Sequence, residues 1–206
     1  MTAANHPTSQ SMIDITDLTV ATGGQPICQV ANATVATHSA VGITGPNGSG
    51  KSTLLRVLAG IETEFAGECV VDAAVQDRVF VHQSPYLFSG TVLSNVEYGL
   101  KARSTSRSIR QEQAVLWLER FGVAHLARRS VESLSGGEKR RTALARACVL
   151  QPKLLLLDEP LADLDPAGID CVAQSLNKLD ASTILITSPS PLPADLTQAT
   201  ISLRQE

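Results

Sequence analysis

The stretch AVGITGPNGSGKST, Ala40 to Thr53, limits this chain more than any other. An apolar strand pattern runs into G-x-x-x-x-G-K-S, Gly45 to Ser52, and the residues after it read as a helix. Successive backbone N–H groups and a helix N-terminus then converge on one point, which suits phosphate. Gly45, Gly48 and Gly50 let the main chain approach closely, with Pro46, Asn47 and Ser49 completing the loop. Lys51 is placed to reach β- and γ-phosphates, Ser52 to coordinate Mg²⁺, and Thr53 to add a further phosphate contact. A plain glycine-rich turn is the alternative, but it does not require the full pattern in a strand-to-helix setting.

With 206 residues the chain has room for one α/β core and a small attached subdomain, not for two full domains. Its 43% hydrophobic content and net charge of −3 fit an ordinary globular protein, and the acidic balance with 3% aromatics gives no footprint for nucleic acid. The sequence lacks a long apolar run, and MTAANHPTSQS has neither a basic start nor an apolar stretch. A cytoplasmic chain is expected, with any membrane role exercised through a partner. Cys28, Cys69, Cys148 and Cys171 are scattered without metal-ligand spacing and are expected to be buried small apolar residues.

Along the chain, a polar tail over 1–11 precedes a single domain over 12–206. The strand-rich start contains MIDITDLTV, a Gly23-Gly24 turn and the approach to the glycine loop. From about 85 to 133 the pattern turns helical, and QEQAVLWLERFGV places Val115, Leu118 and Phe121 near one face. LLLLD and STILITS are apolar runs of buried parallel strands, with a helical GIDCVAQSLNKL between them. The fold class is therefore α/β: a P-loop nucleotide-binding core with a mainly parallel sheet, an N-terminal antiparallel β region and an inserted helical subdomain.

Two further motifs carry chemistry. In LLLLDEP, four leucines bury a strand and deliver Asp158 to its C-terminal end, where ligands of open α/β sheets bind. Asp158 is expected to hold Mg²⁺ through water, and Glu159 to orient and polarise an attacking water. A bare Asp-Glu pair equally opens a loop; the P-loop upstream decides for the catalytic reading. In LSGGEKRR, Ser135 caps a helix and Glu138 reaches back to form a capping box. Gly136 and Gly137 also leave the helix amides bare to an outside anion.

The order GPNGSGKST, the glutamine of VFVHQSP, LSGGE, LLLLDEP and ADLD resembles the ATP-binding cassette family over nearly the whole chain from Met12 onward. That resemblance implies ATP and Mg²⁺ as ligands. It implies that Gln83 senses the γ-phosphate and metal, and that Asp165 lies at an interface between two cassettes. It implies that Ser135, Gly136 and Gly137 face the P-loop of a second chain in a head-to-tail dimer holding two nucleotides. The stretches SPYLFSGTVLSNVEYGLKARS and FGVAHLARRSVESLSGGE look like those of bacterial importer subunits, with the nearest likeness to tungstate- or molybdate-type oxyanion importers. A separate permease would then dock near Tyr86, Leu87 and Phe88, holding the chain on the inner face of the membrane, although these residues equally suit a subdomain core. A soluble cassette in translation or repair and a catalytically weak nucleotide-binding subunit stay open as alternatives. Two departures bear on the chemistry. LTVATGGQP lacks the aromatic ring that the family offers to adenine, and Ser188 aligns with the histidine that the family places at the γ-phosphate. With the chain ending at Glu206, no regulatory domain is expected after the last strand.

Overall fold

Two sheets lie against one short helix in the computed structural model, which describes residues 10–203. Most of the expected tail lies outside the described residues. Gln10 and Ser11, expected to end it, are already part of the structure: Gln10 O accepts from Thr37 N, and Ser11 opens the first strand. β1 (Ser11–Thr22) and β2 (Gln25–Ala36) form a hairpin around Gly23 and Gly24, both at positive φ. β4 (Ala66–Val71) pairs antiparallel with the other edge of β1, in the order β2-β1-β4.

β3 (Ala40–Thr44) belongs to the second sheet, in which β5 (Arg78–Val81), β6 (Leu154–Leu157), β7 (Thr183–Ser188), β3 and β8 (Ala199–Ser202) lie parallel in the order β5-β6-β7-β3-β8. All four leucines of β6 are buried, and they alternate between two cores as a strand's twofold period requires. Leu154 and Leu156 face α1 (Lys51–Leu58) and the antiparallel sheet, where Leu54, Leu55 and Leu58 are also fully buried. Leu155 and Leu157 face the helical side. Each such leucine contributes about 1.5–3 kcal/mol by leaving water.

That helical side consists of α2 (Val92–Ala102), α3 (Arg107–Arg120), α4 (Gly136–Cys148) and α5 (Pro166–Leu176). The stretch read as helical over 85–133 contains α2, α3 and two single 3₁₀ turns, and α2 and α3 pack on α4. The buried stripe of α3 differs from the expected one: Ala114, Trp117, Leu118 and Phe121 point inward while Val115 is half-buried. The large indole takes an inward place, with Arg120 over its ring at 4.5 Å.

Cys28 and Cys148 are buried, and burial raises both thiols, that of Cys28 to about 11. Cys69 and Cys171 are only half-buried, against expectation: Cys69 stands at the margin of a core, and Cys171 Sγ donates to Arg120 O. All four are free thiols.

Candidate functional site

The register of the parallel sheet sets its strand ends side by side: Val81 pairs with Leu157, Leu157 with Ile186, and Thr44 with Ser188. The residues that follow are the P-loop, Gln83, Asp158-Glu159 and Ser188, so motifs distant in sequence share one edge.

The P-loop runs from β3 into α1. Gly50 caps α1 at φ +85°, and a Cβ there would lie 2.4 Å from Ile27 O on β2. Gly50 therefore answers to packing as well as to phosphate approach. Lys51 is buried, and its Nζ donates to Gly45 O at 2.8 Å and Pro46 O at 2.9 Å, folding the cation across the loop. Ser49 Oγ is buried with no hydrogen-bond partner among the described residues, and a Cβ on Gly45 would meet it at 2.6 Å. An orphaned buried hydroxyl beside a cation, in a cradle a side chain would fill, fits a phosphate group. Pro46, Asn47 and Gly48 are exposed on the loop, and Thr53 is half-buried on the first turn of α1.

Asp158 is 3% exposed. Its Oδ1 accepts from Ser52 Oγ at 3.0 Å and from Thr187 Oγ1 at 2.8 Å. Ser52 and Asp158, expected as the Mg²⁺ ligands, thus meet, and a hydroxyl with a carboxylate is the hard oxygen set that Mg²⁺ takes. Gln83 joins them through Glu159: its Nε2 donates to Glu159 Oε2 at 2.9 Å.

Glu159 stands at φ +47°, a left-handed conformation that costs a non-glycine residue about 1–3 kcal/mol and persists only when its surroundings hold it. Its N–H donates to Thr187 Oγ1 at 2.9 Å, and its carbonyl accepts from Arg140 Nη1 at 2.6 Å and Ala162 N at 3.3 Å. With its proton directed at Asp158, the Thr187 hydroxyl offers its lone pairs to Glu159. Neither Thr187 nor Arg140 was among the expected site residues. For Thr187 the available signal is a polar residue closing the buried run ILIT; for Arg140, one of several bases in EKRR, there is none.

Ser188, half-buried at the end of β7, lines a cavity of ≈ 450 Å³ together with Glu159, Thr187 and Pro189. The Ser188 Oγ accepts from Ser190 N at 3.2 Å.

Ser135 to Gly137 form the other motif. Ser135 Oγ accepts from Glu138 N at 3.3 Å and Glu138 Oε2 from Ser135 N at 2.7 Å, so the capping box is present. Gly136 has nothing within 4 Å of where a Cβ would lie, and Gly137 only Leu164 Cδ2 at 3.4 Å. The helix N-terminus is open, and no hydrogen bond joins these residues to the P-loop among the described residues. Asp165 is exposed and caps α5, its Oδ1 accepting from Gly168 N at 2.9 Å.

A second surface lies between β5, α2 and α4: a groove of ≈ 500 Å³ whose lining includes Phe80, His82, Tyr86, Phe88, Tyr98 and Arg146. Tyr86 is 72%, Tyr98 54% and Phe88 40% exposed, whereas Leu87 packs on the core. Buried Asn95 holds Phe88 by donating to its carbonyl and accepting from its N–H, both at 2.8 Å. The Arg146 guanidinium lies 5.3 Å from the centre of the Phe88 ring, and burial lowers its pKa. No helix among the described residues is long and apolar enough to cross a membrane.

Comparison with known proteins bears on this geometry. The model of the ABC transporter family matches residues 28–162. The chain is 34% identical to the tungstate uptake system ATP-binding protein TupC of Peptoclostridium acidaminophilum, over 86% of this chain and 87% of that protein. It is 40% identical to a ferric-ion import ATP-binding protein of Streptomyces coelicolor over 75% of this chain, spanning 47% of that relative's length. Among solved structures, cbiO1 from Clostridium perfringens, part of the cbiONQ ABC transporter complex, superposes with a TM-score of 0.79 at 25% identity, covering 94% of this chain and 86% of that one.

The capping box carries a pH dependence. Hydrogen bonds from Ser135, backbone first and then side chain, lower the Glu138 pKa from the ordinary 4.5. A carboxylate with a lowered folded-state pKa stabilises above its unfolded value, and that stabilisation is lost as pH falls through the lowered value. Wild type should exceed Glu138→Gln by about 0.3–1 kcal/mol in urea denaturation at neutral pH, the range for an exposed acid at a helix N-terminus. The difference should vanish in acid below the lowered pKa, and one that persists unchanged there would contradict the assignment.

Proposed function

The chain belongs to the ABC transporter family, and we propose that it is the subunit that binds and hydrolyses ATP to drive a membrane importer, working as a head-to-tail pair with a second cassette chain. The observation that carries this reading is the meeting of Ser52, Asp158, Glu159 and Gln83 at the mouth of the P-loop. The P-loop amides, Lys51 and Ser49 bind the phosphates of ATP. Ser52 and Asp158, with Gln83 beside them, would hold Mg²⁺, which when bound neutralises phosphate charge. Glu159 orients a water and takes its proton as the water oxygen bonds to the γ-phosphorus; the bond from that phosphorus to the β–γ bridging oxygen breaks, releasing ADP and inorganic phosphate.

The open helix end at Gly136 supports the pairing. Its amides and dipole favour an anion, and in a head-to-tail dimer that anion is the nucleotide on the partner's P-loop. Asp165, exposed at the start of α5, belongs to the same interface in this reading. A homodimer provides both halves from one sequence. The aromatic groove around Tyr86, Phe88 and Tyr98 suits an amphipathic segment of a separate permease, placing the chain at the inner face of the membrane. The relatives compared above are uptake and import subunits, which favours solute import, and oxyanions such as tungstate as the cargo class, over the soluble readings.

Replacement of Glu159 separates binding from hydrolysis. Glu159→Gln should hold ATP within a few-fold of wild-type affinity and lose about a hundredfold or more in turnover, since general-base help contributes about 10²–10⁴. With saturating Mg-ATP it should sediment as a dimer; turnover near the wild-type rate would contradict the role.

Ser188 points to slow turnover. Its hydroxyl donates only a neutral hydrogen bond, worth about 0.5–1.5 kcal/mol against about 1.5–3 for a charged donor. Realised in the transition state, that deficit slows hydrolysis by roughly 5–30-fold. Ser188→His should therefore raise phosphate release and leave the ATP dissociation constant within a few-fold. An unaltered rate would remove Ser188 from the site.

A further inference from the structure

We propose that Arg140 is a positioning residue for hydrolysis, through which α4 fixes the main chain of Glu159. This rests on the reading of Glu159 as the residue that acts on the attacking water. Arg140 stands in the second turn of α4, the helix whose open end is Gly136. Its Nη1 donates to Glu159 O at 2.6 Å, and its Nη2 lies 3.5 Å from Asp163 Oδ2. One planar fork thus holds two acceptors of the segment that follows β6.

The two contacts are unequal. The Arg140 side chain is 12% exposed, so its bond to the carbonyl is charge-assisted and little screened. The Asp163 side chain is 87% exposed, and its ion pair contributes little. Glu159 and Asp163 both stand at positive φ, +47° and +60°, where side-chain-bearing residues do not rest without support. Thr187 supports the N–H side of Glu159 from β7, and Gln83 meets its carboxylate. On the carbonyl side, Ala162 N–H reaches the oxygen at 3.3 Å but belongs to the same short loop and cannot anchor it. Arg140 supplies the anchor from outside the loop.

The peptide that carries Glu159 is therefore held between β7 and α4. A shift of the N-terminal half of α4 displaces its carbonyl and turns the carboxylate relative to Gln83. The attitude of the water-orienting residue then depends on the helix that faces a partner's nucleotide.

Hydrogen–deuterium exchange of the nucleotide-free chain over residues 158–165, together with steady-state ATP hydrolysis, tests the proposal. Arg140→Ala should raise exchange in that segment about tenfold, since the contact closes a local opening. It should lower kcat about tenfold with KM for ATP within about twofold, the pattern of a group that acts in the transition state alone. Arg140→Lys, which keeps the charge and loses the fork, should fall between wild type and Arg140→Ala in both measurements. Unchanged exchange over 158–165, an unchanged kcat, or a rise in exchange spread over α4 and β6 would overturn the proposal. If the wild-type chain fails to hydrolyse ATP, the role of Glu159 falls and the proposal with it; unchanged exchange beside intact wild-type hydrolysis defeats Arg140 alone.

Discussion

One carboxylate oxygen ties three parts of this molecule together. Asp158 Oδ1 receives the hydroxyl protons of Ser52, at the start of the helix behind the P-loop, and Thr187, at the end of β7. A carboxylate almost without solvent exposure costs several kcal/mol unless hydrogen bonds replace its water. Those two hydroxyls make its burial tolerable, and they do so only while β3, β6 and β7 keep their parallel register. The leucines of β6, packed on both faces, fix that register, so hydrophobic packing and site geometry are one constraint here. Glu159 inherits its place from the same contact, because the Thr187 hydroxyl that donates to Asp158 accepts the Glu159 N–H.

The two proposed anion sites lie on separate elements. Phosphate-binding groups gather around Gly45 to Thr53, while the bare amides at Gly136 belong to a helix whose N-terminus faces open space in one chain. Amides left open beside the Ser135–Glu138 capping box favour an anionic ligand from outside the chain. In the proposed head-to-tail pair each open end meets the partner's nucleotide, and the aromatic groove beside α4 would give a separate permease a hold on the same helix. Helix α4 borders the groove along its side through Arg146, and in that pair it would border the partner's nucleotide at its N-terminus.

Much of this was legible in the residues alone because the P-loop, the buried strand ending in Asp158-Glu159 and the Ser135–Glu138 box are local patterns. Each states its geometry within a few positions. Thr187 escaped such reading because its role arises from the pairing of Leu157 with Ile186, which no nearby residue announces. Arg140 escaped for the same reason: the bond to Glu159 spans two elements that meet only in the folded chain. The inward face of α3 depended on where Trp117 found room, so periodicity placed Val115 one position out. Tyr86 and Phe88 are left exposed by the buried Asn95 that grips the Phe88 backbone from a neighbouring helix, and composition near position 86 does not reveal that grip.

In the proposed dimer a working site takes its P-loop from one chain and the N-terminus of α4 from another. Mixing two inactive variants tests it most directly. Lys51→Ala disables the P-loop, and Ser135→Arg blocks the helix end; each alone should hydrolyse ATP at background rate. In a random mixture, half of the dimers combine both variants, and each of these contains one site built from two intact halves. The mixture should recover about a quarter of the wild-type rate per chain, as closed twofold pairing requires. No recovery on mixing, or full activity of Ser135→Arg by itself, would contradict it.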